Sequence, residues 1–342
     1  VPRKSPRGKP YHKPKPRDPN APPPRRHGDR STAAGEHRPV LLAEVLAALD
    51  PRPGHVVADC TLGFAGHAVE LLRRVGPAGR LIACDLDPAN LPRAEPRLAA
   101  VGHPFALHHT NFAGLPQVLA AEGVPAVDGL LADLGVSSMQ LDDPGRGFSL
   151  MRDGPLDMRM DPTRGKTAAD LLNTLAEDEL AAAFRDLGDE PRAEAIAAAI
   201  VDTRKKQPLA RTAELRALID KAAPVTLLRG PTAPPDRKQR LAPATRVFQA
   251  VRILVNRELA SLTHLLRVLP DLLAPGGTAA VISFHSGEDR LIKAAFRDGH
   301  RAGVYSAVSD EPVRPTEEEK RANPRSRSAK LRWAKKGGEV AG

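Results

Sequence analysis

Two aspartates end apolar runs at the places where chemistry on a nucleoside would need them. Asp85 closes the run Arg80 to Cys84 and lies 22 positions after Gly63. A carboxylate about that far behind a small-residue turn accepts both hydroxyls of a ribose. Asp133 closes Gly129-Leu130-Leu131-Ala132 and opens onto a segment rich in Gly, Ser, Asp and Arg that reaches Pro162. A strand that delivers a carboxylate into such a segment is how an open α/β sheet furnishes its ligand crevice. Asp133 has two readings there. It meets a reacting group, or it only holds a bound ligand.

The turn Asp59-Cys60-Thr61-Leu62-Gly63-Phe64-Ala65-Gly66-His67 precedes a helix. Small residues at a helix N-terminus let the backbone approach a ligand closely. Only Gly63 and Gly66 are present, so this is not the dinucleotide G-x-G-x-x-G pattern. A tight turn without ligand is the alternative. Likewise His67 reads as a plain helix-start residue, and Phe112 as core packing after the third strand. Asp87 ahead of Pro88 reads as a helix cap.

The elements that position these residues follow from periodicity. Val40 to Leu49 has helical spacing, and strands are expected over His55–Thr61, Arg80–Cys84, Phe105–His109 and Val127–Ala132. Strands separated by helices indicate a parallel sheet. The alternation then stops. Residues 167–223 read as helices only, 224–243 as a Pro-rich basic linker, and about Ala244 to Leu269 as one long helix broken by Pro270. The turn Pro275-Gly276-Gly277 leads to a last strand, Thr278–Phe284. One α/β domain is therefore interrupted by a helical insertion.

Composition sets the remaining bounds. The chain has 342 residues, 41% of them hydrophobic, enough for a substantial core but with no run long enough to span a membrane. Two cysteines, Cys60 and Cys84, make neither a disulfide framework nor a zinc site and suit a reducing compartment. The net charge of +10 is uneven. Residues 1–35 hold 10 Lys/Arg against 2 Asp/Glu, and 314–342 hold 9 against 4, so the rest is slightly acidic. Basic tails suit a polyanion such as RNA, or simply keep a protein soluble. Residues 1–35 also carry nine prolines and no apolar h-region, which points to a disordered tail rather than a secretory signal.

The blocks Asp133-Leu134-Gly135-Val136-Ser137-Ser138, Gln140-Leu141-Asp142, Arg146-Gly147-Phe148-Ser149 and Asp153 to Asp161 closely resemble one family. It is the bacterial small-subunit ribosomal RNA (cytosine-N4) methyltransferase family, of the RsmH/MraW type. Pro243 to Ile253, Asn256 with Glu258-Leu259, Ser283 to Arg290 and Asn323 to Arg332 extend the likeness, which covers about His37 to Lys336. The resemblance implies a class I S-adenosylmethionine-dependent methyltransferase: an α/β, Rossmann-like, mostly parallel sheet with an inserted all-helical domain. On that reading residues 1–35 are a tail, 36–141 and 243–342 form the methyltransferase domain, and 142–242 recognise the substrate. The implied reaction is methylation of the N4 amino group of a cytidine in the decoding region of 16S ribosomal RNA. The cofactor is S-adenosyl-L-methionine, with no metal. The partner is the small-subunit RNA or the assembled subunit, in the cytoplasm, with a homodimer left open.

The resemblance carries cofactor contacts onto Ala65, Gly66, His67, Asp85, Phe112, Asp133 and Gln140. Asp133 is also the candidate catalytic residue. Asp157, Arg159, Arg246, His285 and Arg325 are candidates for positioning substrate, each with a structural ion pair or hydrogen bond as its alternative. The chain departs from the family at Ala65, usually glycine, at Leu86, usually arginine, at Gly287, usually leucine, and across Gly188 to Arg192. Rival readings fare worse. A DNA amino-methyltransferase would carry Pro-Pro-aromatic where Leu134-Gly135-Val136 stands. A non-catalytic RNA-binding protein would not need Asp85 and Asp133, and a dehydrogenase would need the missing glycines.

Overall fold

The computed structural model describes residues 39–224 and 242–338. The expected tail 1–35 and most of the expected linker lie outside the described residues. The chain runs α1 (Leu42–Leu49), β1 (Val56–Asp59), α2 (Gly66–Val75), β2 (Arg80–Asp85), α3 (Leu91–Ala99), β3 (Phe105–His109), α4 (Leu115–Ala121), β4 (Val127–Asp133) and α5 (Ser138–Asp142). After an irregular stretch come α6 (Ala168–Thr174), α7 (Glu177–Gly188), α8 (Ala193–Arg204) and α9 (Thr212–Ala222). Then follow α10 (Pro243–Asn256), α11 (Glu258–Leu272), β5 (Leu273–Ser283), α12 (Ser286–Arg301), β6 (Tyr305–Val308), α13 (Glu317–Ala322) and β7 (Lys330–Lys336).

Among the described residues the sheet has seven strands in the order β3-β2-β1-β4-β5-β7-β6. β1 to β5 are parallel, and β7 runs antiparallel to both β5 and β6. Successive side chains of a strand face opposite sides, so each strand feeds two cores. Ala58, Leu130 and Val281 join the layer packed by α4, α11 and α12. Val57, Leu131 and Ala280 join the layer packed by α1, α2 and α3. Strand order reverses between β1 and β4, which opens a crevice at their carboxyl ends.

The strands expected from sequence are present, with three differences beyond them. β6 and β7 were not expected, because the reading Lys330-Leu331-Arg332-Trp333-Ala334-Lys335-Lys336 puts charge where a covered strand should be apolar. Asp289 on α12 resolves this by pairing with Lys330 (2.6 Å) and Arg332 (2.8 Å). Pro275-Gly276-Gly277 is a bulge inside β5 rather than a turn before it, since Val127 pairs with Leu273 and Gly129 with Thr278. The long helix breaks at Arg257, which adopts φ 53°, and not at Pro270, where α11 continues to Leu272.

A third apolar cluster gathers α6 to α9 with Phe148, Leu156 and Met158. Val247, Phe248 and Val251 of α10 belong to it as well. The expected boundary at 242/243 therefore falls inside the helical layer, because the apolar face of α10 is spent on α7 rather than on the sheet. Residues 143–167, expected within an all-helical insertion, instead form an irregular loop with one 3-10 turn, Pro144–Arg146. Glycines allow its two arms to touch: a Cβ on Gly147 would lie 2.2 Å from the Pro155 carbonyl oxygen, and one on Gly154 1.8 Å from that of Pro144.

Where α7 meets α10 lies the ion pair Arg246–Glu190, at 2.7 Å with both side chains buried. Arg246, a substrate candidate by sequence, is thus inside the helical layer and away from the crevice. Removing one partner of a buried pair strands the other charge. Arg246→Ala is expected to destabilise the fold by about 3–5 kcal/mol, measured by chemical denaturation, with cofactor affinity per folded molecule unchanged. A variant as stable as the parent that has lost RNA binding would return Arg246 to the substrate side.

Candidate active site

The crevice is built from the ends of β1, β2 and β4. The Thr61 hydroxyl after β1 accepts the Asp133 N–H (2.7 Å), which ties the β1 turn to the β4 end. Gly63, at φ 49°, turns its N–H onto Asp85 Oδ2 (2.7 Å), while Asp85 Oδ1 accepts the Asp87 N–H (2.7 Å). A carboxylate offers about four lone-pair sites, so acceptor capacity remains for a ligand hydroxyl even with the Asn90 side chain also bonded to Asp85. Ala65 caps α2 at φ 58°, fully buried. Its methyl is accommodated in space but strains the backbone, since an L-residue in the left-handed region costs about 1–2 kcal/mol. Gly66 presses on Pro39, which a Cβ would approach to 3.3 Å.

These elements enclose a cleft of ≈ 1340 Å³ including its open mouth. Gly66, His67, Asp85, Phe112, Asp133 and Gln140 line it, and so does Arg325. Ala65 does not; it acts only through the backbone. Phe112 opens a 3-10 turn whose cap is Asn111. Gln140 is partly committed: its Oε1 accepts the Ser137 N–H (2.9 Å) and its Nε2 donates to Asp87 Oδ2 (2.9 Å).

The electrostatics are unusual. Asp133 Oδ1 and Asp59 Oδ2 are buried without a hydrogen-bond partner among the described residues. Burial first, then Asp59 and Glu288, push the Asp133 carboxyl up to about 8. Burial likewise raises Asp59 to about 7. Asp85 is also raised, chiefly by burial, against the Asp87 and Gly63 N–H groups and the Asn90 side chain that hold it down. Burial lowers His67 to about 4, so it is neutral. Its Nε2 lies 2.9 Å from the Val40 carbonyl, which can only accept, so Nε2 carries the proton. The lone pair of Nδ1 then faces Asp133 Oδ2 at 3.8 Å.

Below Asp133 sits a second charged group. Arg252 holds both oxygens of Glu258 (2.8 and 2.9 Å). Glu288 Oε2 accepts the N–H groups of Phe284 and His285, and its Oε1 lies 3.2 Å from His285 Nε2. Glu258, His285 and Glu288 each bring a ligand atom within 4.8 Å of the others; Arg252 engages Glu258 and two backbone N–H groups engage Glu288 Oε2, while His285 Nε2 is buried without a hydrogen-bond partner among the described residues. His285 caps α12 and does not line the cleft.

The other substrate candidates divide. Asp157 and Arg159 form a two-point ion pair with each other (2.8 and 2.8 Å) outside the cleft. Arg325 lies on the rim and clasps both oxygens of Asp142 (3.0 Å each). Across the same rim, Glu319 Oε1 accepts the Leu41 N–H (2.9 Å). Sequence reasoning passed over Asp59, although it ends a strand as Asp85 and Asp133 do. It also took Asp87 for a helix cap; α3 is instead preceded by Asn90, and Asp87 anchors Gln140 and Arg146 (2.7 Å).

The reversal of strand order at β1 and β4, with β7 wedged antiparallel between β5 and β6, defines the class: a class I S-adenosylmethionine-dependent methyltransferase. The chain belongs to the MraW methylase family, whose model matches residues 34–337. It is 44% identical over 307 residues to the ribosomal RNA small subunit methyltransferase H of Acidobacterium capsulatum, covering 88% of this chain and 98% of that one. The protein of the same name from Sorangium cellulosum is 45% identical over 317 residues, 93% of this chain and 94% of that one. A third, from Geobacter sp. strain M21, is 45% identical over 315 residues, 88% and 98% of the two chains.

The raised carboxyls have a consequence for stability. An Asp whose folded-state pKa lies above 3.8 keeps its proton where the unfolded chain has lost it. It leaves the fold unpenalised below about pH 4 and costs stability progressively as pH rises toward 8. Asp133→Asn is expected to unfold at a higher temperature than the parent at pH 8, with the gap closing toward pH 4, and to lose activity. Thermal scans across that range check it; a variant less stable than the parent at pH 8 contradicts the assignment.

Proposed function

We propose that this chain transfers a methyl group from S-adenosylmethionine to the N4 amino group of a cytidine in the decoding region of small-subunit ribosomal RNA. The observation that carries this is Asp133, a carboxyl with an unpartnered buried oxygen at the end of β4, facing the cleft beside the Asp85 cradle. The names of the relatives support the RNA and the subunit. The family resemblance supplies the atom methylated.

The residues present fit the cofactor. Asp85 brings a carboxylate to the cleft for the ribose hydroxyls, Phe112 lines the cleft where adenine can lie, and Asp133 offers negative charge to a cationic amino acid end. When bound, S-adenosylmethionine supplies a methyl group already activated on a sulfonium sulfur. The chain's task is orientation, placing the amine nitrogen about 3–3.5 Å from that carbon and in line with it. A cytosine amine is a weak nucleophile because its lone pair is delocalised into the ring. Positive charge in the cleft draws Asp133 back to its carboxylate form. The carboxylate then accepts an amine N–H, which localises the nitrogen lone pair, and takes the proton that nitrogen must lose. Extruding the base from its stack costs a few kcal/mol, less in distorted RNA.

The helical layer, including α10, supplies the opposite wall through Met160 and Asn256. On this reading the segment from 142 onward recognises the RNA, Arg325 lies at its rim, and the basic terminal segments engage nearby phosphates. Remote contacts of this kind orient the amine, so an assembled subunit should be a far better substrate than free cytidine.

Two measurements test the reading. Asp85→Ala is expected to weaken calorimetric affinity for S-adenosylmethionine by about 1–3 kcal/mol without loss of fold. An unchanged affinity would remove Asp85 from the site. Incubating the protein with labelled cofactor and unmodified small subunits, then digesting to nucleosides, should place the label on the cytosine amine. Label on a ring carbon, a ribose hydroxyl or an adenine would reject the reaction.

A further inference from the structure

The loop 143–167 carries one side chain with an unusual number of attachments. Arg146 Nη1 donates to Asp87 Oδ2 (2.7 Å). Its Nη2 donates to the carbonyl oxygens of Arg159 (3.0 Å) and Met160 (2.8 Å). Its own carbonyl accepts the Met158 N–H (3.0 Å), and its Cζ lies 5.9 Å from the centre of the Phe148 ring. Asp87 is 2% exposed and donates its N–H to Asp85, the ribose acceptor of the proposed cofactor cradle. One guanidinium thus joins the carboxylate turn after β2 to the stretch Met158–Met160.

That stretch does not hold its shape unaided. Met158 has φ 59°, a left-handed backbone on a buried L-residue. Conformations of that kind persist only where the surroundings over-determine them. Two tethers do so here. Asn256 accepts the Met160 N–H (2.7 Å) and donates to the Met158 carbonyl (2.8 Å), and Arg146 grips the other side. Met160 and Asn256 line the cleft, whereas Arg146 does not. The Arg159 backbone is held the same way, which leaves its side chain free to pair with Asp157.

We propose that Arg146 is a positioning residue for methyl transfer: through Asp87 and the Met158–Met160 backbone it fixes the substrate-side wall of the cleft at a set distance from the cofactor cradle. The role rests on the methyltransferase reading above. A planar fork that donates to one carboxylate and two carbonyls at once has no equivalent in lysine, whose ammonium is a point charge. Misplacing a reacting group by about 1 Å costs on the order of 100-fold in rate.

The test compares the parent, Arg146→Lys, Asp87→Asn and the double variant on assembled small subunits with S-adenosylmethionine. Rates are taken per folded molecule, with folded fraction read by circular dichroism. Arg146→Lys is expected to lower kcat by about 10–100-fold, with KM for subunits and calorimetric Kd for the cofactor each within about threefold of the parent. Asp87→Asn should lower kcat similarly, and the double variant no further than the worse single, since both break one link. A kcat per folded molecule equal to the parent's in Arg146→Lys overturns the proposal and leaves a purely structural arginine. A cofactor Kd that worsens in step with kcat also overturns it, by moving Arg146 into the cofactor cradle. Additive losses in the double variant overturn the link through Asp87. The parent is the separate control: if it fails to methylate subunits, the methyltransferase reading falls and takes this proposal with it, whereas an active parent beside an unimpaired Arg146→Lys defeats the proposal alone.

Discussion

Three carboxylates end three neighbouring parallel strands, and the protein around them offers too little positive charge to balance them. Asp59, Asp85 and Asp133 are held by backbone N–H groups and by a threonine, and two of their oxygens have no partner among the described residues. Burial raises all three, Asp59 to about 7 and Asp133 to about 8. A cleft of this kind is poorly satisfied in isolation and well satisfied by a ligand that carries hydroxyls at one end and positive charge at the other. The sheet order exists to bring these three strand ends together, since β2, β1 and β4 are adjacent although β3 separates two of them in sequence. Neighbouring cations are already engaged: Arg252 by Glu258, and Arg146 by Asp87.

The second constraint is closeness of backbone. Where the irregular loop folds on itself, Gly147 and Gly154 allow main chain to lie on main chain, and Gly188 lets α7 approach the Arg246 carbonyl so that a Cβ there would reach 2.6 Å. The loop is held from two sides: Phe148, Leu156 and Met158 are buried in the core of the helical layer, and Arg146 and Asn256 tether its backbone.

Much of this was legible in the sequence, for a physical reason. β1, β2 and β4 are apolar because both faces are covered, and their terminal acids interrupt the pattern abruptly. The blocks around Asp133 and Gly154 resemble a family closely enough to carry the cofactor residues, six of which line the cleft. What could not be read depends on partners distant in the chain. Arg332 and Lys330 lie in a strand only because Asp289 neutralises them, and Arg246 is buried only because Glu190 is buried beside it. Asp87 resembled a local cap because its true partners, Gln140 and Arg146, are 53 and 59 positions away. The pairing of Asp157 with Arg159 was among the open alternatives, and nothing local decides between a pair and two substrate contacts.

The rim that joins Leu41 to Glu319 and Asp142 to Arg325 spans 278 and 183 positions of the chain. β7 also has to enter between β5 and β6 before the sheet is complete. Contacts across such separations form late, because the loop they close costs entropy before any contact rewards it. The carboxylates of β1, β2 and β4 all lie before position 134, whereas Asn323 and Arg325, which also line the cleft, come far later in the chain. The acids can thus be in place before the residues that enclose them: a folding intermediate with β1 to β4 assembled has the carboxylates but not the closed cleft.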